Sequence, residues 1–296
     1  MEKQVLLSYD KKNITVYEWG ADNPKALVQF VHDKGDSPLR YKEFFEYLNG
    51  RGYLVFALGL RAHFATDESS LGLGYAEIYN DTLKDMALAS KLVSEKFDGK
   101  KLFLIGQGYG SFLCQSFVER YEKYADALVI GGCFKFGNLG VNRLICTLLH
   151  KLKGENYVSK ALNRLSFGAH AKSDLLYLSS NFDEIEKYKN DTTVGFDFNC
   201  AFYKSYWTGI VQSFKKSNLE KLKSDLKVLI SGGEKDVLGG CGKALKNIKQ
   251  IYDNLGIRGV KLKLYSDAKH DYLLDKSKEE ARLDIANFFD EICGGL

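Results

Sequence analysis

The sequence predicts an α/β protein with a mostly parallel central sheet, helices on both faces and a helical cap inserted into the core. Short apolar runs alternate with segments whose apolar residues recur at helical spacing. One apolar run, at residues 102–105, leads through a glycine-rich turn into such a segment. The alternation stops between residues 137 and 215. We therefore expect a core of residues 1–136 and 216–296 and a cap of residues 137–215.

Strands are predicted at apolar runs, because strands covered on both faces are apolar throughout. The first two runs are short and are expected to form an antiparallel pair. Helices are predicted where apolar residues line one helical face, as between residues 82 and 97. The predicted strands are residues 5–9, 14–19, 26–32, 53–58, 102–105, 127–130, 228–231 and 260–265, and the predicted helices are residues 41–48, 82–97, 109–121, 242–255 and 278–292.

Composition excludes several classes of function. The 296 residues carry a net charge of +4 with both signs mixed, so no basic face indicates nucleic acid. We expect no transmembrane segment, since no window approaches the ~18 apolar residues of a membrane span. The first residues lack the order of a secretion signal and the six cysteines form no close pair, so a cytoplasmic protein with reduced thiols is expected. The five histidines show no metal-ligand spacing, and we predict neither metal nor cofactor.

The turn Gly106-Gln107-Gly108-Tyr109-Gly110 has the form of a nucleophile elbow, a tight bend between a strand and a helix. The residue at its apex, position 108, would be the attacking serine, but here it is glycine. Glycine tolerates the positive φ of such an apex, so we expect the bend to survive without a hydroxyl. The backbone amides of Tyr109 and Asp33 are expected to face the oxyanion position.

Two further residues follow predicted strands in the chain order of an α/β-hydrolase triad. Asp236 lies just after the strand at residues 228–231, and His270 just after the strand at residues 260–265. Taken singly, each has an ordinary alternative, since aspartate often forms turns and a loop histidine is often a surface residue. Their order predicts that the carboxylate orients the imidazole above the sheet.

These motifs resemble the monoacylglycerol lipase and lysophospholipase group of α/β-hydrolases. Residues 28–58 are similar to that group's first core strands and oxyanion loop, residues 231–236 to its acid motif, and residues 181–198 to part of its cap. The resemblance implies the α/β-hydrolase fold, carboxylic ester substrates and a serine mechanism. It also places His32, Gln107, Arg61 and His63 beside the pocket.

The departures from that group fall at the expected site. The group's Gly-His-Ser-Met-Gly is Gly-Gln-Gly-Tyr-Gly here, its His-Gly loop is His32-Asp33, and its His-Arg-Gly-His-Gly loop keeps only Arg61 and His63. Several linked departures favour natural drift of the site over one engineered replacement. A carboxylate at Asp33 would also oppose a developing oxyanion.

Three functions stay open at this point. The chain could bind an apolar or ester ligand with little hydrolysis, could use His270 and Asp236 as a general base on water or substrate, or could be a non-catalytic interaction protein. Ser111 and Cys114 are weaker candidates for a replacement nucleophile. The amphipathic residues 141–150 and the aromatic residues between 198 and 207 either line a ligand pocket or pack the cap. The sequence does not set the oligomeric state.

Overall fold

The computed structural model describes residues 1–20, 22–135, 139–159, 162–163 and 175–294. Its eight strands form one sheet in the order β1-β2-β4-β3-β5-β6-β7-β8. β1 pairs antiparallel with β2 and β2 antiparallel with β4, and the other neighbours are parallel. The predicted fold class is confirmed. The strands are β1 Glu2–Leu7, β2 Asn13–Trp19, β3 Leu27–Val31, β4 Leu54–Leu58, β5 Leu102–Gln107, β6 Ala127–Gly131, β7 Lys227–Gly233 and β8 Val260–Tyr265.

Helices cover both faces of the sheet. α1 and α10 pack on one face against strand residues such as Val28 and Phe103, whereas α3, α4 and α9 pack on the other against residues such as Leu27 and Leu104. Alternate residues of a strand point to opposite faces, so each central strand contributes side chains to the hydrophobic core on each face of the sheet. The helices are α1 Lys42–Gly50, α2 Phe64–Asp67, α3 Ile78–Lys96, α4 Tyr109–Arg120, α5 Leu139–Lys153, α6 Phe182–Asn190, α7 Cys200–Ser213, α8 Lys216–Leu219, α9 Lys243–Asn254 and α10 Lys278–Cys293.

Between β6 and β7, the described residues include the helices α5, α6, α7 and α8. Helix α7 is buried and packs against α3 and α4 of the core, and α5 packs against α7. The apolar residues of α5 do not all face the protein: the side chains of Val141, Leu144, Leu148 and Leu152 are more than half exposed. The division into a core and a separate cap domain stays a prediction. Residues 136–138, 160–161 and 164–174 of the expected cap lie outside the described residues.

Two element boundaries differ from the sequence prediction for identifiable reasons. α3 begins at Ile78 rather than 82, because its first turn buries Ile78, Tyr79 and Asp81, and the charge of Asp81 is typical of a solvent face. β1 covers Glu2–Leu7 because its polar first residues pair with β2 at the sheet edge. Among the described residues, no helix has the length and apolar character that crossing a bilayer requires.

A buried ion-pair network holds the loop after β4 against the rest of the core. The Arg61 side chain is 1% exposed, and its Nε donates to Asp85 Oδ2 at 2.6 Å. Its Nη1 donates to Asp10 Oδ2 at 2.6 Å. A buried guanidinium is expensive to leave without acceptors, so removal of a carboxylate from this network should destabilise the fold.

We predict that Asp85→Ala lowers the free energy of unfolding by about 3 kcal/mol, because it removes a buried partner of Arg61. Urea denaturation followed by circular dichroism measures the change. The matched variant Asp267→Ala removes an exposed carboxylate paired with Lys235 and should leave the free energy of unfolding nearly unchanged. Equal losses in the two variants would contradict the assignment.

Candidate active site

The bend between β5 and α4 has the geometry expected of an elbow. Gly108 at its apex has φ 55° and ψ −115°, a conformation that residues with a Cβ rarely adopt. Its amide donates to the Gly131 carbonyl at 2.9 Å. A Cβ on Gly110 would lie 2.0 Å from the Val31 carbonyl oxygen, so the start of α4 needs glycine to approach β3 closely. The bend therefore points the apex of the turn away from the sheet toward the loop after β3.

The carboxylate of Asp33 fills the space above Gly108. A Cβ built on Gly108 would lie 2.1 Å from Asp33 Cγ and 2.2 and 2.5 Å from its two oxygens. Asp33 follows β3, the strand beside β5 in the sheet. Its side chain thus occupies the volume in which any side chain at position 108 would begin.

One oxygen of this carboxylate accepts two backbone amides. The Tyr109 N–H donates to Asp33 Oδ1 at 2.5 Å, and the Lys34 N–H donates to the same oxygen at 2.7 Å. The sequence predicted the amides of Tyr109 and Asp33 at this position. The structure places the amides of Tyr109 and Lys34 there, and the Asp33 side chain supplies the oxygen that accepts both, so the role of the Asp33 amide stays a prediction. Two convergent N–H groups, one at the start of α4 and one in the loop after β3, form a site for negative charge.

His270 lies between two carboxylates. Its Nε2 is 3.1 Å from Asp33 Oδ2, and its Nδ1 is 3.1 Å from Asp236 Oδ2. The ring is 2% exposed. The structure thus brings Gly108, Asp236 and His270 together as the sequence predicted, with Asp33 between the first and the last. Their assignment as triad positions stays a prediction.

The charges of this chain determine the protonation state of the imidazole. Burial opposes the charge on His270, but the charge and hydrogen bond of Asp236 and those of Asp33 outweigh it and raise the pKa of His270 well above its usual value. Burial also opposes ionisation of Asp33, yet His270 and the Tyr109 amide hold the pKa of Asp33 below its usual value. Because ionised carboxylates only accept hydrogen bonds, carboxylate oxygens at 3.1 Å from both ring nitrogens favour the doubly protonated imidazolium form of His270.

Backbone contacts hold the acid and the histidine in place. The Leu238 N–H donates to Asp236 Oδ1 at 2.9 Å. Gln107 Nε2 donates to the His270 carbonyl at 2.8 Å, and the His270 N–H donates to the Tyr177 carbonyl at 3.4 Å. Gln107, predicted beside the pocket, therefore acts on the backbone of His270. Its Oε1 has no hydrogen-bond partner among the described residues.

Two buried histidines fix the loop that carries Asp33. His32 Nε2 accepts from the Leu60 N–H at 3.2 Å, so its Nδ1–H donates to the Asp33 carbonyl at 2.8 Å. His63 accepts from the Gly35 N–H at 2.9 Å and donates to the Arg61 carbonyl at 2.9 Å. Burial lowers the pKa of both rings, in agreement with these neutral tautomers. Both residues therefore position the loop rather than carry charge.

Arg61 differs from its expected place beside the pocket. All its side-chain hydrogen bonds that the structure shows go to the β1–β2 hairpin, to α3 and to Tyr75. The Arg61 side chain therefore holds parts of the core together. Its link to the site is its backbone carbonyl, which accepts a hydrogen bond from His63.

An ion-pair chain that the sequence analysis missed links the His270 loop to the Asp33 loop. Arg40 Nη2 donates to Asp271 Oδ2 and Nη1 to Asp36 Oδ1, each at 2.8 Å. The guanidinium also lies over the ring of Tyr188 in α6, 4.7 Å from its centroid. Burial raises the pKa of Asp271 to about 6 despite the opposing charge of Arg40. The spacing of Asp36 and Arg40 gave the only sequence signal, since Asp271 is remote in the chain.

The second missed feature is the side chain of Lys34, which is 5% exposed. Its Nζ lies 5.6 Å from the ring centroid of Phe198 and 5.8 Å from that of Tyr203. Burial lowers the pKa of Lys34 to about 7 against the charges of Asp33 and Asp197. An amine therefore lies among aromatic rings next to the Asp33 carboxylate.

Aromatic side chains of α7 and of the loop before it form a wall next to His63, Tyr109 and Lys34. The His63 ring contacts Phe196 and Phe198 at centroid distances of 5.5 and 5.2 Å, and Tyr109 contacts Tyr206 at 4.9 Å. Phe198, Phe202, Tyr203, Tyr206 and Trp207 are each 1% exposed or less. They form packed core between α7 and the sheet, and those next to His63 and Tyr109 also border the site.

The other two candidate nucleophiles, Ser111 and Cys114, are buried in the core. Ser111 Oγ lies 2.7 Å from the carbonyls of both Gly106 and Gly131, and it accepts from the Gly131 N–H at 2.9 Å. Cys114 is fully buried, which raises the pKa of its thiol. The described residues also contain no cluster of three or more potential metal ligands.

We predict that His270 stays doubly protonated above the usual histidine pKa of about 6.5, because two carboxylates stabilise its charge. Nitrogen-15 chemical shifts of the ring report both N–H groups, and His32 and His63 serve as neutral controls in the same spectrum. Since the folded pKa is raised, the stability contributed by His270 is full below its unfolded pKa of about 6.5 and is lost as pH rises through the folded value. Asp33→Asn should lower the pKa of His270; a neutral ring at about pH 7 in the wild type would refute the assignment.

Comparison with known proteins agrees with this architecture. A carboxyl esterase from Bacillus coagulans superposes with a TM-score of 0.87 at 18% identity, covering 99% of this chain and 98% of that one. A monoglyceride lipase from Saccharomyces cerevisiae gives 0.79 at 16% identity, covering 98% and 94%. A monoacylglycerol lipase from Paleococcus ferrophilus gives 0.71 at 17% identity, covering 94% and 99%. At these identities the likeness shows the fold.

No curated protein matches the sequence. The family model described as "Serine aminopeptidase, S33" matches residues 22–277, which is most of the chain. With the eight-stranded sheet and the elbow between β5 and α4, this match shows that the chain belongs to the serine aminopeptidase S33 family of α/β-hydrolases.

Proposed function

We propose that this chain is a lipase- or esterase-like α/β-hydrolase that binds an apolar or ester ligand and does not cleave esters through a serine. The observation that supports this most directly is the position of Asp33. Its carboxylate takes the volume above Gly108, accepts the two amides at Oδ1 and contacts His270 at Oδ2.

Each requirement of serine hydrolysis is opposed by this arrangement. The mechanism needs a hydroxyl, a neutral histidine to take its proton, and amide donors free to receive an oxyanion. Here Gly108 has no hydroxyl, two carboxylates raise the pKa of His270 and favour its charged form, and the Tyr109 and Lys34 amides already hold a carboxylate oxygen. In the serine protease subtilisin, removing the serine alone costs about 10⁶ in kcat.

The ligand class rests on the family and on the chemistry of the wall. Solved neighbours are described as monoglyceride lipases and a carboxyl esterase, which are names of enzymes that act on esters. The partly exposed aromatic ring of Phe196 next to His63 favours an apolar ligand portion. The Asp33 side chain is 14% exposed, so the site remains open to solvent.

The alternative in which His270 and Asp236 act as a general base on a bound substrate is weaker in the resting state. A base needs a nitrogen lone pair, whereas the His270 Nε2 faces the Asp33 carboxylate at 3.1 Å. For a purely structural or interaction role, no specific observation adds support.

We predict that a fluorescent fluorophosphonate does not label the wild-type protein and that Asp33→Gly/Gly108→Ser gains labelling and ester turnover. The second change supplies the hydroxyl, and the first removes the carboxylate that a side chain at position 108 would overlap. In-gel fluorescence measures labelling, and hydrolysis of a p-nitrophenyl ester measures turnover.

Two single variants are the matched controls. Gly108→Ser alone should stay unlabelled, because Asp33 blocks the new side chain, and Asp33→Gly alone should stay unlabelled, because it has no hydroxyl. Wild-type protein that is labelled at one residue and turns over the ester at the rate of an ordinary serine hydrolase would overturn the proposal.

A further inference from the structure

We propose that Asp33 is itself a nucleophile and that this site opens epoxides to diols through a covalent ester on the Asp33 carboxylate. The inference goes beyond ligand binding. It rests on the placement of Asp33 relative to the backbone amides and His270, and it needs no serine.

The carboxylate has the placement that an attacking group needs. It lies above the elbow apex, in the volume of a side chain at position 108. Oδ1 is held by the Tyr109 and Lys34 amides, whereas Oδ2 has the single contact with His270 that the structure shows. With 14% of its side chain exposed, Asp33 can be reached from solvent. Carboxylates are established enzyme nucleophiles that form ester intermediates.

His270 supplies the proton that distinguishes an epoxide from other electrophiles. Attack of a carboxylate on an ester carbonyl would give an anhydride, which is less stable than the ester and does not form in useful amounts. Displacement of a halide needs no acid, so it would leave the imidazolium unused. Opening of an epoxide generates an alkoxide, which needs a proton. The protonated Nε2 of His270 lies 3.1 Å from the attacking oxygen, Asp33 Oδ2, so both groups can act on the same bound epoxide.

The first step is a ring opening with balanced charges. Asp33 Oδ2 forms a bond to one ring carbon, and the carbon–oxygen bond of the ring breaks with its electron pair going to oxygen. His270 Nε2–H gives its proton to that oxygen. The products are a β-hydroxyalkyl ester of Asp33 and a neutral His270, oriented by Asp236 through Nδ1.

The second step is hydrolysis of this ester. Neutral His270 takes a proton from water, and the hydroxide adds to Asp33 Cγ. The oxyanion forms on Oδ1, which already lies against the amides of Tyr109 and Lys34. The bond between Cγ and the alkyl oxygen breaks, and that oxygen takes the proton from His270 and leaves as the diol. Transfer of the remaining carboxyl proton to His270 restores the starting state.

This route makes an isotopic prediction. In H₂¹⁸O under single-turnover conditions, the solvent oxygen should enter the Asp33 carboxylate and the diol should contain no ¹⁸O. We would use excess wild-type protein with styrene oxide and 1,2-epoxyoctane, two apolar epoxides. Mass spectrometry of the peptide containing Asp33 and of the diol measures both products.

Matched variants test the residue assignment. Asp33→Asn should lower diol formation by at least about 10³-fold, as expected for loss of a nucleophile. Asp267→Asn, an exposed carboxylate on the surface, should keep wild-type activity. Thermal melting confirms that each variant folds, and the isotope result on wild-type protein does not depend on either variant.

The outcomes are decisive in both directions. Label in Asp33 with unlabelled diol supports the proposal. Diol formation no faster than in buffer, or ¹⁸O found in the diol and absent from Asp33 in the single turnover, overturns it. Neither outcome alters the fluorophosphonate result, so failure here is distinguishable from failure of the proposed ligand-binding role.

Discussion

A buried chain of alternating charges, Asp33, His270 and Asp236, is the constraint on which the rest of the site depends. Each link is a contact of 3.1 Å, and the central ring is almost fully excluded from solvent. Removing one carboxylate from such an arrangement would leave a buried charge without compensation, which is more costly than never burying the charges. The surrounding backbone therefore has to hold all three groups at once.

The fold meets this demand by placing each group on the loop after a parallel strand. Asp33 follows β3, the elbow follows β5, Asp236 follows β7, and His270 follows β8. The neutral rings of His32 and His63 fix the first loop. Arg40 then joins that loop to the His270 loop through two carboxylates. The same edge of the sheet that hosts ligands in open α/β folds here holds a preassembled polar network.

The sequence predicted the parts of this architecture that follow from local pattern. Buried parallel strands are apolar runs, so the order of the strands and the positions of Gly108, Asp236 and His270 at their ends could be read directly. It could not show that the Asp33 side chain turns back over the elbow, since that depends on the backbone path of one loop. Nor could it pair Arg40 with Asp271, 231 residues away. It placed Arg61 beside the pocket because a resemblance specifies where a residue stands in the chain and not where its side chain points.

The overlap between Asp33 and any side chain at position 108 also restricts how this site can have arisen. A side chain at position 108 would displace the Asp33 carboxylate from its present place, since its Cβ would lie 2.1 Å from Asp33 Cγ. From a serine-bearing ancestor, the carboxylate could therefore take its place against His270 and the two amides only together with or after the change to glycine at 108. Once it is in place, a returning serine would have to separate the carboxylate from these partners, so Asp33 opposes recovery of the ancestral site.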